Sequence, residues 1–204
     1  MIKYAVFDWD GTLADTYPII TSAYDYTFKK MNMPMMSAEE VKKVTSSKQN
    51  KDIFTSLFNE RANEAREAYY AYIEKYHAKN LKAIDGAKEL LDFCLQSNIT
   101  SLLLTNKKTK YITEELKVLG FEKYFTKVVA AGEYAQDKPH RIACEALFDG
   151  KIPPKDEILV IGDGKTDVDV AQVYGAKSII YQNKAQGDYN VNDLKDAMDI
   201  LKGK

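Results

Sequence analysis

The stretch Lys3-Tyr4-Ala5-Val6-Phe7-Asp8-Trp9-Asp10-Gly11-Thr12 decides the fold of this 204-residue chain. Residues 3–7 are short, apolar and β-leaning, so they read as a buried strand. Two carboxylates follow where that strand runs out, and positions i and i+2 of an extended chain point the same way. Gly11 lets the backbone turn sharply behind them. Two acids on one side of a turn repel each other unless positive charge lies close by. A divalent cation together with an oxyanionic substrate meets that demand. A solvated Asp-rich turn is the plain alternative for these five residues taken alone.

Beyond residue 85 the chain alternates helix and strand patterns. Gly86 to Gln96 reads as a helix with Ala87, Leu90, Leu91 and Leu95 on one face, and Thr100 to Leu104 as a strand. Lys110 to Leu119 is a helix closed by Gly120, Lys127 to Ala131 a strand, and Arg141 to Phe148 a helix followed by the Pro153-Pro154 loop. Glu157 to Ile161 is a strand, Thr166 to Tyr174 a helix closed by Gly175, and Lys177 to Tyr181 a strand. Val191 to Leu201 reads as the last helix, with Asn190 as its N-cap. Strand and helix in alternation predict an α/β fold, a doubly wound, Rossmann-like parallel sheet with helices on both faces. Ligands of such sheets bind at the carboxyl ends of the strands.

Residues 15–85 break this rhythm, and nothing in them reads as a strand. Tyr17 to Met31 is helical, Pro34 interrupts, and Ser37-Ala38-Glu39-Glu40 is a capping box that opens a second helix. Lys51 to Phe58 and Arg61 to Tyr76 supply two more. Residues 15–85 are therefore expected to form an α-helical cap inserted after the first strand, with 1–14 and 86–204 as the α/β core. Tyr69, Tyr70, Tyr72 and Tyr76 read as a stripe that packs this cap. Lys48, Gln49 and Lys51 sit in a polar stretch, Thr45 to Lys51, that either contacts a small anionic substrate or is simply solvated.

The formal net charge of −1 gives no field to draw the chain to nucleic acid or to an anionic membrane. No apolar run approaches the ~20 residues that span a bilayer. Met1 to Val6 runs into the first strand without the ~7–15-residue apolar segment of a signal peptide, which points to the cytoplasm. Cys94 and Cys144 fall in apolar helical patterns without metal-ligand spacing and act as small hydrophobes. His77 and His140 form no cluster, which argues against a histidine metal site.

Three more polar groups fall at the ends of predicted strands. Thr105-Asn106 follows Leu102-Leu103-Leu104 and can donate hydrogen bonds to an oxyanion; either Asn106 or Thr109 can instead cap the next helix. Lys138-Pro139 closes the loop after the third strand, where a residue before proline is held extended, and its ammonium suits phosphate or carboxylate. A solvated surface lysine is the alternative. Asp163 and Asp167 bracket the glycine turn after Ile158-Leu159-Val160-Ile161, and can converge on a cation or merely favour the start of the following helix. Taken together these alternatives weaken, because all four tips lie on one edge of a parallel sheet. The all-oxygen set Asp8, Asp10, Asp163 and Asp167 suits a hard cation, with Mg²⁺ the natural choice. The side chains should gather no more than about a dozen ångströms apart, roughly a Debye length.

The motifs Asp8-Trp9-Asp10-Gly11-Thr12-Leu13, Thr105-Asn106, Lys138-Pro139 and Gly162-Asp163 with Asp167 resemble those of the haloacid dehalogenase-like hydrolase superfamily, in order and over nearly the whole chain. The helical insertion resembles that of the phosphoglycolate phosphatase and β-phosphoglucomutase branch, and Thr105-Asn106-Lys107 is similar to the phosphoglycolate phosphatase branch. Two departures are Arg141, where many relatives have a second proline, and Gly164, where many have serine. The resemblance implies Asp8 as a nucleophile that forms an aspartyl phosphate, and Asp10 as the acid and base. It implies Thr105, Asn106 and Lys138 as phosphate-binding groups, and Mg²⁺ held by Asp8, the Asp10 carbonyl, Asp163 and Asp167. The substrate would be a small phosphorylated metabolite. A phosphosugar mutase of the β-phosphoglucomutase kind shares this core, and a catalytically silent metal- or partner-binding domain is the reading from another class.

Overall fold

The opening residues form β1 (Tyr4–Phe7), with Ala5, Val6 and Phe7 buried. The computed structural model of the chain describes residues 1–37, 39–40, 50–182 and 184–203, with backbone alone at 50–52. In chain order the further elements are β2 (Ala14–Asp15), α1 (Tyr17–Lys30), α2 (Asn50–Phe58), α3 (Ala62–Tyr76), β3 (Lys82–Ala83), α4 (Ala87–Gln96) and β4 (Thr100–Lys108). They continue with α5 (Thr109–Leu119), β5 (Phe125–Ala131), α6 (Arg141–Ala146), β6 (Ile158–Gly162), α7 (Lys165–Tyr174), β7 (Lys177–Tyr181), β8 (Tyr189–Val191) and α8 (Asp196–Leu201).

Six strands make one parallel sheet in the order β5-β4-β1-β6-β7-β8. The chain winds from β1 to one side, through β4 and β5, then returns to β1's other edge with β6. The order thus reverses beside β1, where doubly wound sheets open a crevice at their carboxyl edge. Period-two alternation explains the layers. Ala5 and Phe7 of β1, with Leu103, Leu159 and Ile161, pack against Leu90, Leu91, Ile112, Leu116, Leu194 and Leu201 of α4, α5 and the C-terminal segment. Val6, Leu102, Leu104 and Val160 point the other way, onto Ala143, Cys144, Val170 and Tyr174 of α6 and α7. Burying one such Leu or Phe side chain is worth about 1.5–3 kcal/mol.

The chain divides into two compact units, 1–15 with 81–204, and 16–80. The second is helical among its described residues and has its own core of Tyr24, Phe28, Met31, Ile53, Phe54 and Phe58. Tyr69 joins that core through Tyr24 (ring centroids 4.9 Å) and Phe54 (5.4 Å). The Ser37 capping box is present: Glu40 N–H donates to Ser37 Oγ (3.2 Å), and Ser37 N–H donates to Glu40 Oε2 (2.8 Å). Lys48, Gln49 and the side chain of Lys51 lie outside the described residues.

Three expectations are corrected. Residues 15–85 do contain strand, since Asp15 and Ala14 pair antiparallel with Lys82 and Ala83; two-residue strands leave no periodicity to read. The strand after α4 runs on past Leu104 to Lys108, with an irregularity in its pairing to β5 between those residues. Val191 to Leu201 is not one helix. Residues 189–191 form the edge strand β8 on β7, and the helix starts only at Asp196. Val191, Leu194 and Leu201 have helical spacing because all three enter the same core. The open edge of β7 captures the first of them, and Asn190, expected as an N-cap, instead ties the preceding loop, through Ala185 O (2.7 Å) and Gly187 N–H (3.1 Å).

Candidate active site

Asp8 is the first residue past β1, and its N–H donates to Ile161 O of β6 (2.9 Å), which fixes where its side chain starts. Gly11, at φ +76°, then turns the chain, and its N–H donates to Ala14 O (2.9 Å). Lys138, which precedes a cis proline, is buried. Its Nζ donates to Asp8 Oδ1 (2.5 Å) and to Asp167 Oδ1 (2.9 Å). It is not a surface lysine. Asp167, in the first turn of α7, accepts from the N–H groups of Asp163 (3.2 Å) and Gly164 (3.1 Å) through Oδ2. It therefore caps the helix and faces Lys138 at once. Asp163, next after β6, is paired with Lys184 Nζ from the loop after β7.

Asp8, Asp163 and Asp167 each offer a carboxylate oxygen within 4.8 Å of the others. Like charges this close demand compensation. Burial, reinforced by Asp167, Asp163 and Asp10 and opposed by Lys138, pushes Asp8 up to about 8. Burial likewise raises Asp163 against the pull of Lys184. Burial works to lower Lys138, but Asp167 and Asp8 outweigh it and hold the ammonium above the usual lysine range. Three clustered, mutually strained carboxylates with only oxygen donors fit a hard divalent cation such as Mg²⁺.

Thr105 is buried, and its Oγ1 accepts the Lys107 N–H (3.1 Å), which leaves the hydroxyl hydrogen for an oxyanion. Asn106 caps no helix: its Nδ2 donates to Lys138 O (3.1 Å), and its buried Oδ1 has no partner among the described residues. Thr109 does not cap either, and its hydroxyl donates to Glu133 Oε1 (2.8 Å). Asp10 stands apart from the three gathered carboxylates. Its Oδ1 accepts from Lys107 Nζ (2.6 Å).

Five residues that the sequence reading gave no role contribute here. Thr12 Oγ1 lies 3.4 Å from Asp8 Oδ2, and Lys184 faces Asp163. Lys107 pairs with Glu115 (3.0 Å) as well as with Asp10, and Trp9 Nε1 donates to Glu115 Oε2 (2.6 Å). Glu115 had a signal: it occupies a core position of α5 between Ile112 and Leu116, where a lone carboxylate needs a reason. Lys184 had none, since a lysine in a polar loop is ordinarily solvated.

A doubly wound parallel sheet with buried carboxylates and an ammonium clustered at its carboxyl edge defines an α/β enzyme that handles an anionic group. The family model of haloacid dehalogenase-like hydrolases matches residues 5–181, and the chain belongs to that family. A phosphoglycolate phosphatase of Vibrio parahaemolyticus is 27% identical over 187 residues, 87% of this chain and 82% of that one. The pyrophosphatase PpaX of Oceanobacillus iheyensis is 22% identical over 209 residues, 98% of this chain and 97% of that one. Among solved structures, the haloacid dehalogenase-like family protein SP0104 from Streptococcus pneumoniae superposes with a TM-score of 0.87 at 21% identity, covering 98% of each chain. The chain is thus a haloacid dehalogenase-like hydrolase with phosphatases among its curated relatives.

Proposed function

We propose that this hydrolase is a Mg²⁺-dependent phosphatase that cleaves a small phosphomonoester in the cytoplasm through an aspartyl phosphate on Asp8. The observation that carries the reading is Lys138 buried between Asp8 and Asp167, with Asp163 beside them. Three buried carboxylates this close have no structural use by themselves, but they suit a cation that, with Lys138, offsets the repulsion between a carboxylate nucleophile and a dianionic phosphate.

A carboxylate nucleophile needs no base to activate it. Asp8, Asp163, Asp167 and the Asp10 carbonyl would hold Mg²⁺, which when bound supplies the positive charge that keeps Asp8 ionised and balances the phosphoryl oxygens. Lys138 and the Thr105 hydroxyl bind those oxygens, and Asn106 holds the Lys138 main chain in place. An Asp8 oxygen forms a bond to phosphorus as the ester P–O bond breaks, and the departing oxygen takes a proton from the Asp10 carboxyl. Water then attacks phosphorus, Asp10 takes the proton back, and Asp8 is released with inorganic phosphate. Residues 1–14 with 86–204 are the catalytic core in this reading, and 15–85 the cap that selects the substrate.

The test is phosphate release from a panel of phosphoglycolate, sugar 1-phosphates, pyrophosphate and p-nitrophenyl phosphate. Release is expected with Mg²⁺, is lost in EDTA, and falls at least about 10³-fold in Asp8→Asn. Full activity in chelator would exclude the metal, a working Asp8→Asn would exclude the nucleophile, and isomerised sugar phosphate without free phosphate would make the chain a mutase.

A further inference from the structure

Glu115 is fully buried, with no exposed side-chain surface, although its side chain is a carboxyl. An indole N–H alone does not explain it. Trp9 Nε1 needs one acceptor, which a glutamine or a carbonyl supplies without the desolvation of a carboxylate. The second partner accounts for a carboxyl at this position: Lys107 Nζ sits 3.0 Å from Glu115 Oε2 and 2.6 Å from Asp10 Oδ1, with only 10% of its side chain exposed. Burial works to lower the Lys107 ammonium, and Asp10 and Glu115 together hold it above the usual range.

The sequence explains how the three meet. Trp9 points into the core between the two acids of its own turn, where it packs on Phe121 (centroids 6.2 Å). Its indole fixes the Glu115 carboxylate from one side. Lys107 lies two residues beyond Thr105, whose Oγ1 accepts its N–H, in the irregular stretch of β4. Such irregularities re-aim side chains beside active sites. The ammonium is a point charge on a flexible stem, and gripping it with an anchored carboxylate gives it one direction. That direction is Asp10.

We propose that Lys107, anchored by Glu115 and through it by Trp9, is a positioning residue that presents the Asp10 carboxyl to the leaving oxygen. This rests on the phosphatase reading above. With Oδ1 facing the ammonium, Oδ2 is the oxygen left to face the substrate and exchange its proton. When Oδ2 gives that proton to the departing oxygen, the carboxylate charge that appears is already faced by Lys107. When water attacks the aspartyl phosphate, the same Oδ2 takes a proton and the cycle closes.

The readout is leaving-group dependence, because an alkoxide needs a proton to depart and a nitrophenolate hardly does. Single-turnover formation of the phosphoenzyme is measured with Mg²⁺ for wild type, Lys107→Met, Lys107→Arg and Glu115→Gln, using p-nitrophenyl phosphate and an alkyl phosphate. General acid catalysis is worth about 10²–10⁴-fold, so Lys107→Met should lose roughly 100-fold on the alkyl ester and at least about 10-fold less on the aryl ester. Lys107→Arg should restore part of the alkyl rate, and Glu115→Gln, which keeps shape and the indole acceptor, should show the same asymmetry more weakly. Equal losses on both esters, or none, overturn the inference; should Lys107→Met fail to fold, Glu115→Gln decides on the same criterion. A wild type that releases no nitrophenol overturns the phosphatase reading instead.

Discussion

Gly162 ends β6, and the Asp167 side chain folds back over it so closely that a Cβ there would lie 2.1 Å from Asp167 Cγ. The glycine leaves room for the Asp167 side chain. Gly162→Ala must drive Asp167 off Lys138 and off the two N–H groups it caps, since a Cβ joined to backbone cannot yield. Overpacking of this kind costs about 1–3 kcal/mol, and a displaced site residue about 10–100-fold in rate. Urea denaturation and initial rates on p-nitrophenyl phosphate measure both; a variant with the wild-type midpoint and rate would show that Asp167 moves freely. At this scale the gathering of Asp8, Asp163, Asp167 and Lys138 was legible, because each lies at the carboxyl edge of the parallel sheet. Lys184 was not, since a lysine in a polar loop carries no mark of its buried partner, and Glu115 was marked only by its place on the apolar face of α5.

The helices and strands of the sheet core were legible wherever a clear period and a terminator coincide, as at Gly120 and Gly175, which end α5 and α7 in the left-handed conformation. They were illegible where one apolar spacing served two elements. Val191, Leu194 and Leu201 share a core, and no period separates an edge strand followed by a helix from one continuous helix. What holds β8 in place is its loop. Asn190 bonds both Ala185 O and Gly187 N–H, and Gly187 lies so near β7 that a Cβ would come within 2.6 Å of Ile180 Cγ1. Each such bond is worth about 0.5–1.5 kcal/mol. Asn190→Ala is therefore expected to destabilise the chain by about 1–2 kcal/mol and to raise amide exchange at Gln182, whose N–H donates to Val191 O (2.8 Å). Unchanged exchange at Gln182 would show that β8 is held without the loop.

Across the whole molecule, protonated acids are buried in both compact units. In the first, burial pushes the Cys94 thiol up to about 12 and the Cys144 thiol up to about 11, and raises the Tyr174 phenol, which donates to Cys144 O (2.9 Å). In the second, burial raises the Tyr24 phenol. All four lose protons more readily in the unfolded chain, where thiols titrate near 8.5 and phenols near 10, values on the order of those of model peptides. The folded state therefore binds more protons over that range, and stability falls as pH rises. The contribution is intact below about pH 8.5 and drains away as pH climbs toward the thiol values of about 11 and about 12. The raised Lys138 acts in the same sense, since its ammonium is favoured by the fold. The urea midpoint should accordingly drop steadily from pH 9 to 11. Both thiols, fully buried, should resist an aromatic disulfide reagent at pH 8 until denaturant is added. A midpoint that rises between pH 9 and 11, or rapid labelling of the native chain, would mean that the two faces of the sheet are not sealed as the packing of Cys94 and Cys144 requires.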